Sequence, residues 1–279
     1  MISVIVPCRV VDDYARECVE RCLSYFDDAE ILVVPDVYNG ELDQYAGEGR
    51  LRIVVSGKAS PGRKRNLAMS MARGEAFAFI DSDAYPERDW LRRAAEDLRA
   101  AEVVGGPAVT PEEDSSMQRA SGYVYSSPLM GGLSERFTRK SPGLKEVDLL
   151  HSVNCVARRG VIESVGGWDE RYWPGEDTLL CGLLRRKGIK LYHDSELVVY
   201  HHRRELYVPH LRQVAGYGFY RGFLVRRYGR EFFRPIYFLP MAFVIYLILG
   251  AALSLLSGLV LRIFLATLAA FAAAVLAVS

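Results

Sequence analysis

Charge all but stops at Arg234. The chain carries 35 Lys+Arg and 34 Asp+Glu in 279 residues, and every one except Arg262 lies before residue 236. A polar globular part is therefore followed by an apolar tail that water solvates poorly. Ile236–Leu259 runs 24 residues without a charge, enough to cross about 30 Å of hydrocarbon with some tilt. Ile263–Val278 has 16 residues, which leaves a short second span, a re-entrant piece or an incomplete span open. Ser257, Gly258 and Arg262 would make the turn between the two stretches. Arginines crowd the near side of the first, so the globular part is expected on the cytoplasmic face. A net charge of +1 argues against a nucleic-acid partner. Five cysteines with no CxxC are too few for a disulfide scaffold, and Cys18 and Cys22, four apart, read as helix core.

Ile2–Val6 is too short for a leader's apolar core and carries no basic flank, so it reads as a buried strand stopped by Pro7. Asp12 or Asp13 caps a helix in which Ala15, Val19, Cys22, Leu23 and Phe26 recur at helical spacing. Strands are expected at Ile31–Val34 and Leu51–Val55, a helix from Ser60 to about Ala72, and a strand at Ala76–Ile80. Strand–helix alternation implies a mostly parallel α/β sheet with ligands at the strands' carboxyl ends. Beyond residue 106 the pattern weakens. Pro86 to Ala101 reads as helical, Val103–Val109 as extended, 112–130 as helical, and 131–146 as a mobile loop. Val153–Ala157 is expected as a strand, Gly160–Val165 and Glu176–Lys187 as helices, and 189–193 with 196–201 as a strand pair. Over 201–234, arginines interleave with Leu211, Tyr217, Phe219, Tyr220, Phe223, Leu224 and Tyr228. That composition suits a helix lying in a membrane interface, or a basic solvated face.

Asp81-Ser82-Asp83 follows an expected strand, where two carboxylates could share a hard divalent cation. Fifteen aspartates in 279 residues make about one such triplet expected by chance, and an Asp turn capping the next helix is the plainer explanation. Gly62-Arg63-Lys64-Arg65-Asn66 opens a helix whose free N–H groups and three cations suit a diphosphate. No Walker motif is present, and Gly216-x-Gly218 lacks the strand that a dinucleotide fingerprint needs. Gly166-Gly167-Trp168-Asp169-Glu170, Pro174-Gly175-Glu176-Asp177 and His201-His202 follow. Glu176 and Asp177 could be no more than favourable first-turn charges.

In this order, Val4-Ile5-Val6-Pro7, Asp36, Arg65-Asn66, Gly74-Glu75, Asp81-Ser82-Asp83, Trp90-Leu91, Gly166–Glu170, Glu176-Asp177 and Val199-Tyr200-His201 resemble the inverting glycosyltransferases of family 2. The likeness covers about residues 2–205. Tyr200-His201-His202-Arg203-Arg204 with the Tyr/Arg-rich stretch and apolar tail looks like that family's membrane-anchored branch. The resemblance implies the α/β GT-A fold, with a mostly parallel central sheet and helices on both faces, followed by interfacial and transmembrane helices. It divides the chain into a catalytic domain over 1–204, an interfacial region over 205–235 and membrane segments over 236–279. It implies a nucleoside-diphosphate sugar bound by Pro7, Arg9, Asp36, Arg63, Arg65, Asp81 and Asp83. Mg²⁺ or Mn²⁺ would be held by Asp83, with Asp81 and His201 as further metal residues. Asp177 would be the general base, and Glu176, Trp168 and Trp173 would meet the acceptor, the tryptophans either stacking on sugar faces or packing in the core. The loop Val34-Pro35-Asp36-Val37-Tyr38 departs from the Asp-rich loop of many relatives. The expected partners are the donor, a glycan or lipid-linked acceptor and membrane lipids. A polyprenyl-phosphate hexosyltransferase is the alternative, although its ionised acceptor would need no base. A nucleotide-sugar binder with decayed catalysis is a second.

Overall fold

Runs of β-branched and aromatic residues fix the central strands. The structure is a computed structural model and describes all residues except 46, 128–133, 140–142, 230–231 and 279. Strands β1 (Ile2–Pro7), β2 (Ala29–Val34), β3 (Leu51–Ile53), β4 (Ala76–Phe79), β5 (Ala84–Pro86), β6 (Val103–Gly105), β7 (Ala108–Val109), β8 (Leu144–Val147), β9 (Cys155–Arg158), β10 (Leu191–Asp194) and β11 (Val199–His201) form two sheets. The larger has the order β3-β2-β1-β4-β9-β6-β10-β8 and the smaller β5-β11-β7.

The first four strands are parallel, as the alternation predicts. The other half is mixed, because β9 runs antiparallel to both β4 and β6, and β8 antiparallel to β10. Helices α1 (Asp13–Tyr25) and α3 (Trp90–Asp97) pack on one face, while α2 (Pro61–Met71), α5 (Arg159–Ser164) and α6 (Glu176–Arg186) pack on the other. The strand period of two divides the core accordingly: Val4 and Val6 meet the first helix layer and Ile5 the second. Asp12 caps α1 by accepting from Ala15 N, and Ser60 caps α2 by accepting from Arg63 N.

Several expected elements differ. Pro86 ends a strand, not a helix, and α3 begins only at Trp90. Val103–Val109 breaks at Gly106-Pro107 because its halves join different sheets: a Cβ on Gly106 would lie 1.9 Å from Leu197 O. The 189–193 and 196–201 strands likewise part into the two sheets and do not pair. The expected 131–146 loop contains β8, and its residues 131–133 and 140–142 lie outside the described residues, as does the end of the 112–130 helix. What is described there is α4 (Ser116–Ser126), closed by a capping box between Ser115 and Gln118.

Helix α7 (Val208–Tyr228) packs one side on the α/β body, through His210 Nδ1 to Ser121 Oγ (2.9 Å) and Leu224 to Leu179. Its other side exposes Leu211, Phe219 and Phe223 between Arg212, Arg226 and Arg227. The tail corrects the expected spans. The turn falls at 255–257, so α8 (Leu239–Ser254) has 16 residues and α9 (Gly258–Val278) has 21. Arg262 lies inside α9, not in the turn. Among the described residues α9 is the one helix long and apolar enough to cross a membrane. It packs on α8 through Phe243 and Phe271, and through Phe264 seated against Gly250.

Where α3 meets β10, burial and the neighbouring Asp194 carboxylate push Asp97 up to about 6. The folded state thus holds a proton that the unfolded chain releases near pH 4. Its stabilising contribution is full below that value and is lost as pH rises through about 6. Asp97→Asn is expected to raise the thermal midpoint by a few degrees at pH 8 and by less at pH 5. Equal shifts at both pH values in a thermal melt would contradict this.

Candidate active site

The carboxyl ends of β1, β2 and β4 carry Pro7, Arg9, Asp36, Asp81 and Asp83. Asp83 stands just before β5, and the antiparallel register of β5 with β11 pairs Ala84 with His201. That register sets His201 Nε2 3.2 Å from Asp83 Oδ1. Asp83 is 45 % exposed at its side chain and lines a cleft of about 490 Å³ with Arg9, Ser82, Tyr14, His202 and Arg204. Burial raises the Asp83 carboxyl, but His201 outweighs it and holds the group below the ordinary carboxylate value.

Arg65, 2 % exposed, is the hub of the site. Its guanidinium donates to Asp81 Oδ1 (2.7 Å), Glu176 Oε1 (3.0 Å) and Ser152 Oγ (3.0 Å), and lies over the Trp168 ring. One cation therefore joins the two acidic motifs. Burial raises both Asp81 and Glu176 despite that cation. Glu176 turns inward and is buried, whereas Asp177 remains 26 % exposed at its side chain. Asp177 Oδ1 accepts from Thr178 N (2.6 Å), and Oδ2 lies 3.8 Å from Arg136. A helix turns about 100° per residue, so adjacent carboxylates must face differently.

The next residues of α2 are also committed. Lys64 is buried, donates to Cys8 O and pairs with Asp36 at 2.5 Å, which draws Asp36 below its ordinary value against the effect of burial. Asn66 pins the Gly166–Glu170 loop, donating to Trp168 O (2.8 Å) and accepting from Trp168 N (2.9 Å). Gly62 lies against that loop, where a Cβ would stand 2.6 Å from Asp169 O.

These contacts revise several sequence-based expectations. The start of α2 is capped by Ser60 and covered by 169–170, so it does not present free N–H groups to a diphosphate. Arg65 lies beneath the cleft with its terminal nitrogens taken, Lys64 is paired, and Arg63 alone of the three cations is exposed. Trp168 is 2 % exposed beneath Arg65 and edge-on to Phe79, so no ring face is free for a sugar. Trp173, 52 % exposed, keeps one. Glu176 is an internal partner of Arg65, not an acceptor contact. Pro7 is buried at the end of β1 and brings Arg9 to the cleft.

Among the described residues no group of three or more His, Cys, Asp and Glu is arranged to hold an ion by itself. Asp83 suits a hard divalent cation through its accessible carboxylate. Asp81 is tied to Arg65. His201 accepts from Arg203 Nη1 at Nδ1 (2.8 Å), since arginine can only donate. Its ring proton is therefore on Nε2, facing Asp83, and the ring orients that carboxylate instead of offering it a lone pair to share with an ion. Arg203 is in turn fixed by Thr110 Oγ1 and Ala108 O. Arg204, Ser152 and the His202–Asp114 pair (2.5 Å) were not singled out as site residues. Only the repeated basic run after Tyr200 hinted at Arg204.

The sequence profile of the family described as Glycosyl transferase family 2 matches residues 3–166. A Methanococcus voltae protein is 23 % identical over 265 residues, covering 88 % of this chain and 80 % of its own. It is the dolichyl N-acetyl-alpha-D-glucosaminyl phosphate 3-beta-D-2,3-diacetamido-2,3-dideoxy-beta-D-glucuronosyltransferase. The pre-mycofactocin glycosyltransferase of Mycobacterium tuberculosis is 30 % identical over 149 residues, which is 52 % of this chain and 31 % of that one. Among solved structures, the mannosyltransferase PcManGT from Pyrobaculum calidifontis, in complex with GDP-Man and Mn²⁺, superposes with a TM-score of 0.60. It is 19 % identical, with 99 % of this chain and 78 % of that one covered. S. aureus TarS 1-349 with UDP-GlcNAc gives 0.57 at 19 % identity over 80 % of this chain and 66 % of that one. Both are likenesses of fold.

Proposed function

The chain belongs to glycosyltransferase family 2, and from that premise we propose that it moves a sugar from a nucleoside diphosphate to a hydroxyl of a lipid-linked or cell-surface glycan precursor, with inversion, at the cytoplasmic face of a membrane. The observation that carries this reading is the Arg65 bridge. By holding Asp81 and Glu176 it ties the stretch that carries the cleft-lining Asp83 to the helix start that carries Asp177. Asp177 takes the acceptor's proton as the oxygen attacks the anomeric carbon. Asp83, oriented by His201, would hold a divalent ion, which would supply positive charge to the leaving diphosphate. Arg9 and Arg204 add positive charge along the same cleft, and Trp173 offers a ring face to the acceptor.

Nucleoside-diphosphate sugars and Mn²⁺ accompany the neighbouring structures, which supports this donor class and a divalent ion. The dolichyl N-acetyl-alpha-D-glucosaminyl phosphate in the M. voltae relative's name supports a lipid-linked acceptor. The apolar α9 and the Arg-flanked exposed apolar side of α7 support membrane attachment over 205–279, with α7 in the interface.

UDP or GDP with Mn²⁺ is expected to raise the thermal midpoint of the full chain in neutral detergent. At a hundredfold excess over Kd the gain is about 2.7 kcal/mol, or roughly 5–10 °C. Asp83→Ala should keep the ligand-free midpoint and lose this shift. An undiminished shift in excess chelator would remove the ion from the reading.

A further inference from the structure

A second cleft, of about 360 Å³, opens at the far end of α6 and is lined by Arg185, Arg186, Arg234, Asp148, Thr178 and Phe232. Arg185 and Arg234 share one carboxylate, Asp148, at 2.9 and 2.7 Å. Each guanidinium has five N–H donors in a planar fork, so a single carboxylate leaves much of that capacity unused. The three side chains are 35–48 % exposed, and exposed pairs of this kind exchange partners readily. A phosphate group matches such forks with two parallel hydrogen bonds each.

The place of the cleft says what would carry the phosphate. Thr178 follows the proposed base, Asp177. Arg185 stands eight residues beyond that base, about 12 Å along the helix, which leaves room for a sugar between the two. At the opposite end, Arg234 immediately precedes the turn Pro235–Phe238 that leads into α8. Phe232 delivers Arg234 to the cleft by seating on Gly182, where a Cβ would lie 2.4 Å from its ring. The cleft thus lies between the base and the apolar helix pair.

We propose that this cleft binds the phosphate of a lipid-carried acceptor, with the sugar reaching toward Asp177 and the lipid toward α8 and α9. This rests on the glycosyltransferase reading of the site and names the acceptor class for it. A phosphate held there is too far along α6 to be the attacking group; it is the carrier's anchor.

The test uses the full chain in neutral detergent, with farnesyl phosphate, farnesol and inorganic phosphate as probes in thermophoresis titrations. Farnesyl phosphate is expected to bind at least tenfold tighter than either of the others. Arg185→Gln with Arg234→Gln should weaken it tenfold or more, while UDP and GDP with Mn²⁺ bind as before. Asp148→Asn should tighten it by removing the competing carboxylate, and it decides the matter alone if the double variant does not fold. Equal binding of farnesol overturns phosphate recognition, and equal binding of inorganic phosphate overturns the lipid source. Unchanged binding in the double variant, or no tightening in Asp148→Asn, overturns the place. Farnesyl phosphate binding with neither nucleotide bound would overturn the reading of the main site and leave this one standing.

Discussion

Asp177→Asn is expected to lower turnover by about 10²–10⁴, the usual share of a positioned general base, with donor affinity nearly unchanged. The two neighbouring acids are not interchangeable. Glu176 is buried with one oxygen on Arg65 and the other accepting from Gly175 N. Asp177 has Oδ1 anchored by the Thr178 amide, while Oδ2 lies 3.8 Å from Arg136. Asparagine can keep the Thr178 contact through its carbonyl oxygen, so the side chain should hold its place while losing proton acceptance. Steady-state rates with a hydroxyl acceptor, beside nucleotide titrations, check this. A wild-type rate removes Asp177 from the chemistry, and a fall in donor affinity instead moves it to the donor side.

Arg65→Met should cost about 3 kcal/mol of stability, because it keeps the stem's volume but strands a buried carboxylate, Glu176, with Asp81 beside it and no cation between. At this size the loss corresponds to roughly 6–12 °C in the midpoint. The deficit should shrink at pH 5. Without Arg65 the folded-state value of Glu176 rises further above its unfolded one, so the variant's native state takes up a proton that offsets the lost pair as pH falls. Arg65→Lys should recover only part, since one ammonium cannot fork to Asp81, Glu176 and Ser152 together. A variant Arg65→Met that melts with the wild type, at either pH, would show that the bridge contributes nothing.

Much of the frame was legible from local chemistry. β1 and α2 follow from a β-branched run stopped by proline and from a Ser-Pro-Gly cap. Alternate burial of Val4, Ile5 and Val6 follows from the strand period. The acidic motifs were found in sequence because their order along the chain is distinctive, although neither is specific alone. The tail was legible as apolar but not as α8 and α9, because uniform apolar composition carries no period to mark where one helix stops.

What only the tertiary structure decided was which side chains face which. A run of three cations says nothing of its partners, and burial turned Lys64 to Asp36 and Arg65 to the acids while leaving Arg63 exposed. Trp168 went inward because Asn66 pins both its backbone N–H and C=O, a contact across 102 residues. Asp83 met His201 through the register of β5 with β11, strands more than a hundred residues apart. Hydrophobic pattern, caps and turn residues are local and were therefore written in the sequence. Pairing between distant segments depends on how the two sheets and their helix layers close over one another, and that closure chose Asp177, not Glu176, to face outward.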